Sequence, residues 1–177
     1  MTSFSLVSFV AILIVSSSVI YPSSGISEEI LKTICSVEHS GARCMSILKS
    51  DPRTASADFP QLSLISVELA IKQSDSNIKS FTEIVANSTD PQITKRCRPC
   101  IGIYKDIKSQ VQEAHHKSEY KLYADISEIF DASLHLAYKC AALCSVNSIA
   151  LDLLSQDMIS RCETCQSVNK YMVSQSA

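Results

Sequence analysis

Two stripes of mostly apolar side chains in the middle of the chain limit most strongly what it can fold into. Between residues 93 and 114 they recur at alternating steps of four and three, and between residues 123 and 144 at alternating steps of three and four. This spacing is typical of the buried seam between packed α-helices. A polar break at 115–118 separates the two stripes and is predicted to form the turn between them. Because this connection is short, the sequence predicts two antiparallel helices.

The register of this helix pair predicts which of its cysteines face one another. In an antiparallel pair the numbers of facing residues have a constant sum, here about 240, which places Cys100 opposite Cys140. The same register places Cys97 opposite Cys144. Eight cysteines allow 105 pairings, and facing positions can meet the Cα–Cα distance of a disulfide, so we predict both bonds. Pro99 complicates the second bond, because either the helix kinks there or its regular part begins there and Cys97 is displaced.

Four further cysteines lie outside these two seams. We expect Cys35 and Cys44 to close a local hairpin between two short helices near the start of the mature chain. Cys162 and Cys165 share one stripe of the last helix. Three alternatives stay open for this pair: a bond to each other, two buried thiols that pack like small apolar side chains, or a bond to another molecule.

The rest of the chain also carries helix signals. We predict helices over 27–38, 43–50 and 58–86, a break at 51–53, and an Asp-Pro cap at 90–91. Only three glycines and no tryptophan in 177 residues argue against an all-β chain. An apolar share of 46% argues against disorder. The sequence therefore predicts an all-α fold.

The beginning of the chain has the features of a secretory signal peptide. Residues 4–15 form an apolar run of about a dozen residues, too short to span a bilayer. Small residues suited to cleavage follow, with cleavage after Gly25 or, alternatively, after Ser18. We predict a signal peptide at 1–25 and one secreted domain at 26–177. Because a secreted chain meets an oxidising compartment, disulfides are favoured over zinc.

Charge and motifs limit the chemistry expected of the chain. A formal net charge of −2 excludes nucleic-acid binding by bulk charge. No second apolar run is long enough to span a membrane, so we expect no membrane partner. There is no G-x-S-x-G, H-E-x-x-H or phosphate loop, so we expect neither an enzyme nor a cofactor. A zinc site from Cys97-x-x-Cys100 and Cys162-x-x-Cys165 is disfavoured by the long gap between the two motifs, so we expect no metal. Asn87 begins the only N-x-S/T sequon, which predicts glycosylation in a secreted chain.

Several short motifs stand at the spacing of a known family. They are Ile34-Cys35 and Cys44 across a hairpin, Ser50-Asp51-Pro52-Arg53-Thr54 with Ala57-Asp58, Ile65-Ser66 with Leu69-Ala70, Cys100-Ile101-Gly102-Ile103-Tyr104 with Asp106, and Ala132-Ser133 leading to Cys140. With the signal peptide, these motifs resemble the plant cell-wall inhibitor family that contains pectin methylesterase inhibitors and invertase inhibitors. The stretch 90–114 is similar to its pollen-type, invertase-inhibitor-like subgroup, and the resemblance covers about residues 27–144.

The resemblance implies a definite architecture. The family fold is an antiparallel up-and-down four-helix bundle preceded by a short N-terminal helical hairpin, with disulfides from first to second and from third to fourth cysteine. In this chain these are Cys35–Cys44 and Cys100–Cys140. The other four cysteines are additions to the family pattern.

The resemblance also implies a function. It implies a secreted, monomeric inhibitor in the plant apoplast, which covers the cleft of a pectin methylesterase or an acid invertase without covalent chemistry. Candidate contacts are Lys105, Lys108, Gln112 and Glu128, and for each the alternative is an ordinary solvated helix face. The alternative function is a non-inhibitory secreted helical-bundle protein with an extracellular signalling or structural role, because the last third of the chain departs from the family pattern.

Overall fold

Helices make up almost all of the structure, a computed structural model that describes residues 25–36, 41–144 and 149–176. In chain order they are α1 (Glu28–Cys35), α2 (Gly41–Lys49), a 3₁₀ helix (Pro52–Ser56), α3 (Phe59–Asn87), α4 (Pro91–Glu119), α5 (Tyr123–Cys144) and α6 (Ile149–Ser176). No strand occurs in these described ranges. The predicted signal peptide at 1–25 lies outside the described residues, apart from Gly25.

The four long helices, α3 to α6, form a bundle. α3 packs against α4 and α6, and α5 packs against the same two helices, so the four make a closed ring. Short connections at 88–90 and 120–122 turn the chain back on itself, as in antiparallel bundles. α1 and α2 pack against each other and against α6, where Arg43 forms an ion pair with Asp157. The prediction of an antiparallel four-helix bundle preceded by a helical hairpin is confirmed.

Capping side chains define where three of the helices begin. Ser27 accepts a backbone hydrogen bond at the start of α1, and Asp58 begins α3 with a capping box that it shares with Gln61. Asp90 caps α4, and Pro91 takes the first helical position, where its missing N–H costs nothing. Because these caps are local interactions, the predicted helix starts lie close to the observed ones.

The seam between α4 and α5 is the centre of the core. Every predicted seam position is buried except Ile93, which is half-buried. Phe130 and Tyr104 are among the largest fully buried side chains. The Tyr104 ring stacks on Phe81 of α3 with centroids 5.4 Å apart, and its hydroxyl donates to Ser155 of α6 at 3.3 Å. Burial raises the pKa of Tyr104 to about 12, so the hydroxyl remains a donor.

Pro99 does not interrupt α4. The helix begins eight residues earlier, at Pro91, and continues through Pro99. Pro99 is exposed, so its ring lies on the solvent side of the helix rather than in the seam. Cys97 consequently stays in the seam, and of the two alternatives for Pro99, the one in which the regular helix begins there is wrong.

The polar end of α4 is helical rather than a break. The stretch 115–118 forms the last turn before Glu119, and the chain turns at 120–122. The reason is tertiary: Ser118 is buried, and its hydroxyl lies 2.7 Å from that of Ser63 on α3. A polar residue in a helix can be stabilised by a partner on another helix, which the local pattern does not reveal.

Two disulfides are formed in the structure. Cys35 is joined to Cys44 with a Cα–Cα distance of 5.6 Å, which ties α1 to α2. Cys100 is joined to Cys140 at 5.4 Å, which ties α4 to α5. Both distances lie inside the usual range for disulfides.

The predicted bond between Cys97 and Cys144 is absent from the structure. Both side chains are buried free thiols, and their Sγ atoms lie 2.9 Å apart. A disulfide bond is about 2.05 Å long, so this is a contact between thiols. The register was right about which residues face each other and wrong about the bond. Facing positions determine proximity, whereas a bond also requires a two-electron oxidation, which spacing does not encode.

The last two cysteines are buried thiols as well. Cys162 and Cys165 on α6 are free and have no exposed surface. Burial raises the pKa of both thiols, that of Cys165 to about 12. Of the three alternatives, the structure therefore contains the second, two buried thiols, and a side chain with no exposed surface cannot bond another molecule without opening of the bundle.

Candidate functional site

Three of the four predicted contact residues lie on one side of α4. Lys105, Lys108 and Gln112 follow one another at steps of three and four, so they share one side of α4, and Lys108 and Gln112 lie beside residues of α3. Lys108 Nζ donates to Asp75 of α3 at 2.6 Å, so its charge is already partly balanced. Glu128 is exposed on α5 and does not belong to this surface.

A shallow groove separates α3 from α4 at the end of this surface. Its volume is about 570 Å³, and we call it the α3–α4 groove. It is lined by Glu68, Ile71, Lys72, Gln112, His115 and His116. The groove therefore combines both signs of charge with one apolar side chain, and Gln112 joins it to the lysines farther along α4.

A chain of charged side chains runs into the groove from the 3₁₀ helix. Asp51 caps that helix, and Arg53 folds back on it, donating through Nε to Oδ1 at 2.9 Å and through Nη2 to Oδ2 at 2.7 Å. The same Nη2 donates to Glu68 Oε2 of α3 at 2.5 Å. Arg53 thus joins the hairpin side of the molecule to the groove by charge-assisted hydrogen bonds.

This arrangement changes the acidity of Asp51. Its side chain is only 7% exposed, and Arg53 donates to both of its carboxylate oxygens. The hydrogen bonds from Arg53 outweigh the effect of burial and lower the pKa of Asp51 to about 2. The carboxylate is therefore charged at any pH well above 2.

His115 lies between two carboxylates. Its Nε2 is 3.7 Å from Glu68 Oε1, and its Nδ1 is 3.7 Å from Glu119 Oε1. The side chain is 26% exposed, whereas that of His116 is 76% exposed. When protonated, His115 would pair with a carboxylate on each of two sides, one of them across the groove.

The described part of the chain offers little else for chemistry. Among these residues, the only group of metal-ligating side chains with mutually close ligand atoms is Cys100, Cys140 and Cys144, and the first two are bonded to each other. Within the same ranges, none of the helices combines the length and apolar character needed to cross a membrane.

The known proteins to which this chain is similar are named as enzyme inhibitors. No family model matches the chain. A protein named "Putative invertase inhibitor" from Platanus orientalis is 38% identical to it over 98 residues, which are 55% of this chain and 57% of that protein. The "Pectinesterase inhibitor" of Actinidia deliciosa is 27% identical over 93 residues, which are 52% of this chain and 50% of that protein.

The fold has a solved counterpart. The crystal structure of a pectin methylesterase inhibitor from Arabidopsis thaliana matches with a TM-score of 0.62 at 16% identity, over 83% of this chain and 98% of that chain. The chain resembles the plant invertase and pectin methylesterase inhibitors. In sequence it spans about half the length of the curated inhibitors that it matches. The likeness in fold extends over nearly the whole length of the solved inhibitor.

Residues in the groove and beside it include several that sequence reasoning did not assign to the inhibitor surface. Asp51 and Arg53 were interpreted only as a helix break and a family motif, and His115 was placed in a polar turn. Glu68 was not singled out at all. One signal was present: His115 and Glu119 stand four residues apart, the spacing of a helical side-chain pair, which indicates that the helix continues. Nothing local indicates that Glu68 meets both Arg53 and His115.

Proposed function

We propose that this protein inhibits a plant cell-wall enzyme, either a pectin methylesterase or an acid invertase, and is not itself an enzyme. The observation that carries the proposal is the 98-residue match, at 38% identity, to a protein named as an invertase inhibitor. The 27% match to a pectinesterase inhibitor supports it and leaves the target open between the two enzymes. Inhibition would consist of covering the enzyme's cleft, with no bond made or broken.

We place the contact surface on α4, from Lys105 through Lys108 to Gln112, together with the α3–α4 groove. This surface carries charges of both signs, and complementary charges set the register and the association rate of protein complexes. Its side chains stand on two long helices joined by the Lys108–Asp75 hydrogen bond, and Arg53 of the 3₁₀ helix holds Glu68 of α3 in place. A surface held in place before binding loses little conformational entropy on association. Glu128 would be outside this contact.

The site of action follows from the same proposal. We propose that residues 1–25 are a signal peptide and that residues 26–177 act in the apoplast as a monomer, with no nucleic-acid or membrane partner. Two buried disulfides suit an oxidising compartment. Asn87 is exposed at the last residue of α3, and this position leaves its side chain open to glycosylation.

An inhibition titration tests the proposal. The full chain is expressed in a plant host, purified with its disulfides mapped, and titrated against a plant pectin methylesterase and an acid invertase. The titrations run at about pH 5.5 and at about pH 7.5, on either side of the ordinary histidine range. We expect saturable inhibition of one of the two enzymes at a fixed stoichiometry. If correctly oxidised protein inhibits neither, the proposal is wrong, and the non-inhibitory helical-bundle alternative is favoured instead.

A matched pair of variants tests the surface. Lys105→Glu reverses a charge on the proposed contact face, and Lys139→Glu reverses one at an exposed position of α5. We expect the first to weaken inhibition about tenfold, equivalent to about 1.4 kcal/mol, and the second to leave it unchanged. Equal effects of the two variants would place the contact elsewhere.

A further inference from the structure

Four cysteines of α4 and α5 form one buried group, which we call the sulfur cluster. Its members are Cys97, Cys100, Cys140 and Cys144, each at most 3% exposed. Cys144 lies in the middle: its Sγ is 2.9 Å from that of Cys97 and 3.4 Å from that of Cys100. Cys100 is bonded to Cys140, so the cluster consists of a disulfide and a pair of thiols in contact.

We propose that Cys97 and Cys144 are an oxidisable dithiol, so that the protein has a two-disulfide form, seen here, and a three-disulfide form. The proposal is independent of the inhibitory function. The oxidant is a small-molecule disulfide of the glutathione type. One cysteine attacks it, forming a mixed disulfide and releasing one thiol; the other cysteine then displaces the second thiol and closes the intramolecular bond. The two protein S–H bonds are lost, one S–S bond forms, and two electrons and two protons pass to the oxidant.

Position in the helices makes this pair more accessible than the other two free thiols. Cys144 is the last residue of α5, and the ends of helices open locally at far lower cost than their centres. Cys162 and Cys165 lie near the middle of α6 and are fully buried. An oxidant can therefore reach Cys144 through opening of one helix end, whereas reaching Cys162 or Cys165 requires opening of the bundle.

Burial controls how fast the pair reacts. Desolvation raises the pKa of the Cys144 thiol well above its usual range, and the adjacent Cys97 raises it further. Because the thiolate is the attacking species, the pair stays reduced at mildly acidic pH and reacts faster as the pH rises. This accounts for two thiols that remain unbonded although their sulfur atoms touch.

Cys100 is the competing partner for Cys144. Attack of Cys144 on the existing disulfide would form Cys100–Cys144 and release Cys140, with no external oxidant. Two observations favour Cys97 instead: it is closer to Cys144 by half an ångström, and it has no covalent partner. Oxidation also leaves the Cys100–Cys140 bond intact, whereas exchange merely replaces it.

Disulfide mapping tests the proposal directly. The protein, expressed as the full chain and purified, is incubated with oxidised glutathione at about pH 8, near the ordinary thiol pKa. It is then treated with N-ethylmaleimide under denaturing conditions and analysed by mass spectrometry. We expect the number of blocked thiols to fall from four to two, with a mass loss of two hydrogen atoms. Digestion without reduction should yield a peptide pair linked through Cys97 and Cys144.

Two variants make the assignment specific. In Cys97→Ser no new intramolecular disulfide should form, because Cys144 has lost its partner and its reaction stops at the glutathione adduct. Cys162→Ser, the matched control at another buried thiol, should still lose two thiols and form the Cys97–Cys144 bond. In the wild-type protein, four blockable thiols after oxidation, a Cys162–Cys165 link, a Cys100–Cys144 link or a persistent glutathione adduct would each overturn the proposal. Because the wild-type map is decisive by itself, the test does not depend on the folding of either variant.

Discussion

The two sides of α4 differ in almost every physical property. The side facing α5 is buried: it packs against Phe130 of α5 and contributes Cys97 and Cys100 to the sulfur cluster. Its contacts are fixed by close packing and by the Cys100–Cys140 disulfide. The side facing α3 ends in a groove of about 570 Å³ lined by charged and polar side chains. A single helix thus provides a core on one side and the proposed contact surface on the other, and changes on the two sides should have different consequences.

The largest difference in unfolding free energy should appear when one side chain is truncated in the buried seam and another on the exposed side. Phe130→Ala leaves a cavity in a fully buried site, and we expect a loss of about 3–5 kcal/mol of unfolding free energy, a large part of the roughly 5–15 kcal/mol typical of a domain. Gln112→Ala on the exposed side should stay within about 0.5 kcal/mol. Equilibrium denaturant unfolding of both variants measures the contrast, and equal losses would contradict it.

Removal of the disulfides comes next in size. Cys100→Ser with Cys140→Ser opens a loop of 40 residues, and the loop-entropy relation gives about 4 kcal/mol. Cys35→Ser with Cys44→Ser opens a loop of 9 residues and gives about 3 kcal/mol. Denaturant midpoints of the two double variants should therefore rank in that order. A reversed order would mean that the hairpin, rather than the seam, carries the more important covalent restraint.

A smaller effect is expected on the charged side, and it depends on pH. The pKa of Asp51 in the folded protein is about 2, below its ordinary value of 3.8. The stabilisation from this carboxylate is therefore complete above about pH 4 and is lost as the pH falls through 2. Arg53→Gln should lower the melting temperature by about 2–4 °C at pH 6 and by progressively less as the pH falls toward 2.

The control for this experiment is a second exposed arginine. Arg98→Gln also removes one positive charge, but from an exposed position of α4 that does not line the groove. Its effect on melting temperature should therefore be small and nearly independent of pH. Parallel curves for Arg53→Gln and Arg98→Gln between pH 2 and 6 would refute the role assigned to the Asp51–Arg53 pair.

The smallest effect on stability is expected at the glycosylation sequon. Asn87→Gln should remove a glycan-dependent mass shift on gels, with a change in unfolding free energy within about 0.5 kcal/mol, because the side chain is exposed at a helix end. Treatment of the wild-type protein with an amidase that removes N-linked glycans is the parallel measurement. A mass that neither treatment changes would show that the sequon is unused.

How far the sequence predicted the fold depended on the range of each interaction. The caps at Asp58 and Asp90 are local, and the helix starts were placed within a residue or two. The alternating seam predicted which positions of α4 and α5 are buried, and its register placed Cys100 beside Cys140. The polar end of α4 was placed wrongly because Ser118 is held by Ser63, 55 residues away.

The candidate site was less predictable than the fold. Lys105, Lys108 and Gln112 share one face by helical spacing, which the sequence contains. Glu128 could not be excluded from that face until the position of α5 was known. Glu68 lines the groove and is held there by Arg53, although the two are 15 residues apart and belong to different helical segments.

The sequence by itself determined the helical class, the seams, the register of α4 against α5 and the pairs of cysteines that lie close together, because periodicity along a chain records which side of each helix is buried. Only the tertiary structure decided which charged residues meet in the α3–α4 groove. It also decided that Pro99 and the stretch 115–118 remain helical, and that Cys97 and Cys144 touch without being bonded. Periodicity shows that a side is buried, but it does not identify the residues on the neighbouring helix or the oxidation state of two sulfur atoms. Those depend on how the helices pack around one another and on which oxidants the protein meets.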